Sequence, residues 1–144
     1  LRQMRENAQS FESLTLMFQR EVADRLLAAP HSKDYGRLTI LAQWLCRIER
    51  KFDLPPSVFV PPPKVTSSVV HFVPRDLPPD SPAFATIEKL TAAAFGQRRK
   101  MLRSSLKSFQ DIVQQSGIDP TARAEDLGVQ DFIRMAQIFE RKTP

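Results

Sequence analysis

Glycine is scarce in this sequence. The 144 residues contain four: Gly36, Gly96, Gly117 and Gly128. No two stand close enough to form a glycine-rich loop, which excludes a nucleotide or phosphate cradle of that kind within the chain. Cysteine is scarcer still. Cys46 is alone, so no internal disulfide is possible, and with two distant histidines, His31 and His71, it cannot build a structural zinc site. No metal is expected. No apolar run approaches the ~18 residues a membrane span needs. The opening LRQMRENAQS is too polar for a signal peptide. The expectation is a cytoplasmic protein with no membrane partner. No Ser-His-Asp order stands out, and the scattered carboxylates form no pair that sequence can place. Read alone, the chain shows no catalytic apparatus.

What is present points elsewhere. The apolar fraction of 42% supports a core, and 26% charged residues fit a folded chain. The net charge of +5, with a pI near 9.8, favours a polyanionic partner. The charge is focused. Residues 98–107, RRKMLRSSLK, carry Arg98, Arg99, Lys100, Arg103 and Lys107 with no acid. Residues 111–140 set Asp111, Asp119, Glu125, Asp126, Asp131 and Glu140 against Arg123 and Arg134.

The pattern along the chain predicts two units. Residues 1–13 read as the end of a helix and a link. Leu14 to Phe18 has the length of a buried strand. Val22, Leu26 and Ala29 mark a helical face over residues 20–29, stopped by Pro30. After a polar link, residues 37–46 fit a helix, although Leu38 to Leu41 also fits a strand. Residues 47–54 suggest a half-exposed strand with imperfect alternation. Pro61, Pro62 and Pro63 cannot donate to a sheet or lie in a helix, so they predict a stiff extended loop. The β-branched run from Val65 to Val73 predicts a strand. PRDLPPDSP at 74–82 marks the junction. Helices are expected over residues 84–95 and 97–109, with Met101, Leu102, Leu106 and Phe109 inward on the second. GIDP at 117–120 reads as a stop and a new start, with Asp119 as N-cap and Pro120 in the first turn. A short helix over 122–127 and a longer one over 129–140 complete a small bundle. Strands and helices of the first unit are too few to close a doubly wound layer, which suggests a fragment.

Three places are candidates for chemistry. On a continuous helix Arg99, Arg103 and Lys107 would share a face, with Lys100 beside them and Arg98 nearer the packed side. That stripe fits RNA or DNA phosphates, or simply a solvated surface. Phe59 precedes the proline loop. It is either an aromatic held out to stack an unpaired base or a core side chain under the prolines. Lys64 and Arg37 each suit a phosphate contact or plain solvation. Glu21 and Arg25, four apart, read as a structural ion pair, and Trp44 as core.

The motifs taken together carry a resemblance. FQREVADRL at 18–26, YGRL at 35–38, FVPPPKVTSSVV at 59–70, AFGQRRKMLRSSL at 94–106 and GIDPTARAEDL at 117–127 occur in an order and spacing similar to the bacterial small-subunit ribosomal RNA adenine N6-dimethyltransferases. The likeness covers essentially the whole chain. The FxPxPKVxS segment is shared with the wider RNA adenine dimethyltransferase superfamily, and the QRRK and GIDPTxRAE segments point to the small-subunit branch. The resemblance implies an α/β fold. Residues 1–76 would be the later strands and helices of a Rossmann-like methyltransferase domain, including its antiparallel hairpin. Residues 77–144 would be a small all-α domain contacting RNA. It implies S-adenosylmethionine as cofactor of the intact, monomeric enzyme and small-subunit rRNA, or the assembling small subunit, as partner. The reaction would be dimethylation of N6 on two adjacent adenines near the 3′ end. The family's glycine-rich cofactor loop, ribose-binding acid and Asn-Leu-Pro-Tyr motif are not in this chain, so no cofactor binding and no activity are expected of it alone. By the same resemblance Phe59 packs against the flipped adenine, and Lys64 and residues 98–107 contact RNA. The alternatives are a noncatalytic RNA-binding or ribosome-assembly module and, with no role for strands and proline loop, a DNA-binding helical protein.

Overall fold

Strand β3 (Ser67–Pro74) organises the first half of the molecule. In the computed structural model, which describes residues 1–7 and 10–143, it lies between β1 (Leu14–Gln19) and β2 (Cys46–Leu54), and both neighbours run antiparallel to it. Period-two alternation divides its side chains. Ser68, Val70 and Phe72 are buried, while Val69, His71 and Val73 are half-buried. Helices α2 (Arg20–Leu26) and α3 (Arg37–Leu45) pack on the buried face. The imperfect alternation of β2 has a structural cause. Arg50 pairs with Val70 and Phe52 with Val69, so Lys51 is the extra residue of a bulge. Beyond it Phe52 points to the open face and is 54% exposed. β1 is an edge strand with Leu16 and Met17 exposed.

Each helix ends where another element takes its free backbone groups. The helix expected over 20–29 stops at Leu26. The Gln43 amide donates to the carbonyls of Leu26 and Ala28 at 3.1 and 3.0 Å, and the Thr39 hydroxyl donates to Arg25 O at 2.6 Å. The stop therefore precedes Pro30. Thr39 also accepts from Gly36 N at 3.1 Å and so starts α3. The strand expected from Val65 begins two residues later, at Ser67, and, one step past its last pair with β1, Arg20 N still bonds Thr66 O at 2.9 Å. The expected link of residues 1–13 lies partly outside the described residues. Ahead of it stands a short helix, α1 (Arg2–Glu6).

The second half is helical, with α4 (Phe84–Gly96) and α7 (Val129–Lys142) packed together and α4 also against α3. Ile87, Leu90, Thr91 and Ala94 are buried, which is the stripe that the spacing predicts. No side chain of its own caps α4. Glu140 of α7 does so, accepting from Ala83 N at 2.8 Å and Thr86 Oγ1 at 2.7 Å.

The helix expected over 97–109 is not there. Residues 97–100 form a turn, α5 (Leu102–Ser105) is a single helical turn, residues 107–109 form a 3-10 turn, and α6 (Gln110–Ser116) follows. The donors of Leu102 and Arg103 are drawn away to Ala122 O at 2.8 Å and Pro120 O at 2.9 Å, alongside a β-bridge between Met101 and Arg123. Helical bonding cannot continue through residues whose N–H groups are committed elsewhere. Met101, expected inward, is 39% exposed as a result. Asp119 caps no helix. It accepts from Thr121 N at 2.8 Å and Thr121 Oγ1 at 2.7 Å in a local turn, and those bonds hold its carboxyl below the usual range. The short helix at 122–127 reduces to a 3-10 turn over Ala124–Asp126. Gly117, at φ 74°, closes α6 in the left-handed conformation.

Tyr35 joins the two halves. Its hydroxyl donates to Leu127 O at 2.7 Å, and its ring meets Phe95 edge-on. Burial first, and then the charge of Asp131, push its phenol from 10.0 up to about 12. A raised acid pKa in the folded state gives stability that is complete below the unfolded value and lost as pH climbs through the folded one. Tyr35→Phe should cost about 1–3 kcal/mol by leaving Leu127 O without its donor. The melting temperature of the wild type should fall between pH 10 and about 12, and this alkaline limb should be shallower in the variant. Equal limbs in a pH series of thermal melts would remove Tyr35 from that role.

Candidate nucleic-acid interface

The loop over residues 55–66 leaves the sheet between the paired stem residues Leu54 and Ser67. Five of its residues, Pro55, Pro56, Pro61, Pro62 and Pro63, have no backbone donor. Its first part winds into a 3-10 turn, Pro56–Val58, with Phe59 N bonded to Pro56 O at 3.2 Å. Phe59 follows this turn. It is half-buried and is not among the side chains that pack against the main core. The reading of Phe59 as a core phenylalanine is therefore not the one adopted by the fold. Around it the loop holds apolar groups in solvent: Val58 is 55% exposed, Val65 45% and Val60 99%. Lys64 is exposed on the same loop and forms no ion pair among the described residues.

The root of this loop is a charged network that the sequence reading did not foresee. Arg50 of β2 bonds Asp24 of α2 through one guanidinium nitrogen. Its other terminal nitrogen donates to Asp53 Oδ1 at 3.2 Å and to Ser68 Oγ at 3.1 Å. Ser68, fully buried, donates in turn to Asp53 Oδ1 at 2.6 Å, and Arg20 lies 3.9 Å from Asp53. The Ser68 hydroxyl foremost, helped by the Arg50 guanidinium and by Arg20, holds the Asp53 carboxyl below the usual carboxylate range against the opposing effect of desolvation. Arg50 and Asp24 lie 26 residues apart in sequence, and Arg20 and Asp53 further still, so no local spacing signals them.

The basic segment divides into two kinds of residue. Arg98 faces inward from its turn, donating to Ser32 O at 3.0 Å and pairing with Glu125 at 3.4 Å. Arg99, Lys100, Arg103 and Lys107 are exposed and take part in no ion pair or side-chain hydrogen bond among the described residues. They lie on a turn, a helical turn and a 3-10 turn in succession. The four-residue repeat of Arg99, Arg103 and Lys107 does not put them on one helical face. Arg37 is paired with Glu88 at 3.2 Å, beside the Arg2–Glu88 pair at 2.8 Å. Glu21 and Arg25 pair at 2.8 Å, and Trp44 is buried, as the sequence suggests.

The three-stranded antiparallel sheet, its proline loop and the following helical layer together match parts of solved methyltransferases. A dimethyladenosine transferase of Plasmodium falciparum superposes with a TM-score of 0.80 at 25% identity, over 92% of this chain and 59% of that one. The 23S rRNA methyltransferase ErmE shares the fold at a TM-score of 0.54 and 22% identity. The chain belongs to the ribosomal RNA adenine dimethylase family, whose pattern matches residues 2–141. It is 56% identical over 133 residues to the ribosomal RNA small subunit methyltransferase A of Xanthobacter autotrophicus and 50% identical over 139 residues to that of Paramagnetospirillum magneticum. These matches take in 90% and 94% of this chain, but 46% and 50% of the relatives. The chain thus spans about half the length of the curated relatives it matches.

The residues described here do not fit a cofactor cradle. A Cβ added at Gly36, Gly96 or Gly117 would meet nothing within 4 Å, and at Gly128 only the Asp131 carboxylate that caps α7. The four glycines are also far apart in sequence, so the chain has no glycine-rich loop of the kind that cradles a nucleotide.

The contrast between Arg98 and its neighbours can be checked by stability. Arg98→Ala should lower it by about 0.5–1.5 kcal/mol. The bond to the Ser32 carbonyl is lost, while the ion pair, at 40% side-chain exposure, adds little. Arg99→Ala and Lys100→Ala should stay within about 0.5 kcal/mol of wild type. Equal effects in chemical denaturation of the three variants would mean that Arg98 does not hold the turn.

Proposed function

We propose that this chain is the adenine-presenting and RNA-contacting half of an S-adenosylmethionine-dependent methyltransferase. The intact protein would dimethylate N6 of two adjacent adenines near the 3′ end of small-subunit rRNA. Residues 1–76 form the later part of the methyltransferase layer and residues 77–144 the helical unit that meets RNA. The observation that carries the reading is Phe59, an aromatic set outside the core on a proline-stiffened loop at the end of the sheet. It is supported by membership of the ribosomal RNA adenine dimethylase family over residues 2–141.

Catalysis by such an enzyme is chiefly a matter of placing the adenine amino group in line with the methyl donor. Stacking on Phe59 fixes the plane of the extruded base, and its half-buried setting restricts the ring's own freedom. The cofactor supplies the methyl group when bound, and the segment of the relatives outside this match would hold it. Lys64 and the four unpaired cations of residues 99–107 neutralise phosphates, which positions the RNA without reading its sequence. This chain by itself should not bind S-adenosylmethionine.

Two variants of the full-length protein test the assignment. Base–aromatic stacking is worth about 1–3 kcal/mol. Phe59→Ala should therefore lower kcat for adenine methylation by about 10- to 100-fold, with a much smaller change in RNA affinity. Parallel losses in turnover and binding would argue for a general folding effect instead. Replacing Arg99, Arg103 and Lys107 together with Gln should weaken binding to structured RNAs of unrelated sequence alike. The logarithmic salt slope should drop by roughly 2, at about 0.7–0.9 per lost phosphate contact. An unchanged slope in a variant with a normal melting curve would reduce this segment to a solvated surface. Loss of RNA binding with no methylation in the wild type would favour a noncatalytic module.

A further inference from the structure

We propose that Arg50 is a positioning residue that sets the adenine-stacking aromatic by locking the root of its loop, an inference that rests on the function proposed for Phe59. Residues 55–66 have few other means of holding a shape. Beyond the strand pairing, their backbone hydrogen bonds are two local ones, Val58 N to Pro55 O and Phe59 N to Pro56 O, and one to another element, Arg20 N to Thr66 O. Prolines occupy positions that would otherwise donate. The direction in which the loop leaves the sheet is then decided by its stems, Leu54 with Ser67 and Asp53 with Ser68.

Arg50 fixes those stems from the inside. Its planar guanidinium makes three contacts at once: Asp24 on the helix, Asp53 on one stem strand and Ser68 on the other. Arg50 lies opposite Val70 on the buried face of the sheet, and the bulge at Lys51 then brings Asp53 opposite Ser68, which is fully enclosed. Arg20, the first residue of α2, closes the arrangement from the other end by bonding the last loop residue through its backbone and approaching Asp53 at 3.9 Å through its side chain. Asp24 and Asp53 are both carboxylates with Arg50 between them. Without it Asp24 has no cation among the described residues, Asp53 keeps only the more distant Arg20, and the two stems lose the side-chain tie that supplements their strand pairing. A guanidinium is suited to this task because its fork is rigid, whereas an ammonium offers one point charge.

The test is a mutant cycle in the full-length protein combined with hydrogen exchange. Arg50→Gln should lower kcat about tenfold with the RNA KM within about twofold, the pattern of a group that acts in the transition state. In a Phe59→Ala background the same substitution should cost less than about twofold, because a positioning residue has nothing left to position. Arg50→Lys should recover part of the loss. The backbone amides of Val58 and Phe59, the two donors of the loop, should exchange about tenfold faster in Arg50→Gln, with Val70 and Phe72 of β3 unaffected. Should that variant fail to fold, Ser68→Ala removes only the hydroxyl and should show the same local exchange and the same coupling to Phe59. Multiplicative losses in the cycle overturn the inference, and so does unchanged loop exchange, whatever the activity. Wild-type turnover in Phe59→Ala would instead overturn the proposed function, and leave Arg50 to be judged by exchange alone.

Discussion

Because β3 exchanges backbone hydrogen bonds with β1 on one edge and β2 on the other, the rest of the chain has little choice of place. A one-residue slip of this strand would move Val70 and Phe72 from the helix-covered face to solvent and bring Val69 and His71 inward. Burying an apolar side chain of that size is worth roughly 1.5–3 kcal/mol, so the register is strongly set. The inner row then decides what α2 and α3 can contact. Phe18 meets Phe72 edge-on at 5.9 Å, and Ser68 is left as the one polar member of the row beside the loop. A buried hydroxyl needs partners. Asp53 and Arg50 satisfy it, and in doing so they bring charge to the root of the proline loop.

The elements that the sequence made legible are those governed by local pattern. The inner stripe of α4 and the span of α7 follow from their spacing, and β1 from its apolar run. The bulge in β2 was visible only as broken alternation, since nothing in RIERKFDL says which residue is extra. Residues 97–109 show why the rest was hidden. Met101, Leu102, Leu106 and Phe109 satisfy helical spacing, yet Leu102 and Arg103 give their N–H groups to Ala122 and Pro120. A bond made across nearly twenty residues overrides a preference of a few tenths of a kcal/mol per residue. The same reason hid the caps, since Glu140 serves α4 from the far end of the chain. At the candidate site, Phe59, Lys64 and the basic segment stood out by composition or motif, while Arg50, Asp53 and Ser68 look ordinary in sequence. Their meaning arises only from the pairing of Asp53 with Ser68.

Charge in this molecule separates into two populations. Arg2 and Arg37 share Glu88, Arg98 meets Glu125, and Arg50 meets Asp24 and Asp53. These pairs connect α1 to α4, α3 to α4, a turn to a turn, and a strand to a helix. Lys64, Arg99, Lys100, Arg103 and Lys107 take part in no such pair among the described residues, as is true of other exposed cations such as Lys33, Arg47 and Arg123. Exposed ion pairs contribute little stability individually. They do decide which cations stay available, and residues 99–107 gather four of these, Arg99, Lys100, Arg103 and Lys107, in one turn-rich segment, as the proposed contact with RNA requires. A segment broken into turns suits this use, because cations on short turns can spread along a backbone, whereas one helical face would confine them to a line.

The loop with Phe59 and the basic segment of residues 99–107 lie in different halves of the chain but not in independent bodies. Helix α3 packs on β2 and also on α4 and α7. Trp44 stacks near Phe84, and Tyr35 reaches Leu127 from the turn just before α3. Buried side chains from sheet, α3 and the later helices run together as one core. Interiors packed in this way deform little, since each displaced group loses contacts on all sides. The proline-rich stretch after β3 therefore does not act as a free hinge: Arg75 N is tied to Leu45 O at 2.8 Å, and Gln137 reaches Asp80 O from α7 at 3.3 Å. On the function proposed here, RNA held by the cationic turns would consequently keep a fixed relation to the loop. An aromatic that must meet one particular base requires such a relation, which a flexible tether between the two surfaces could not supply.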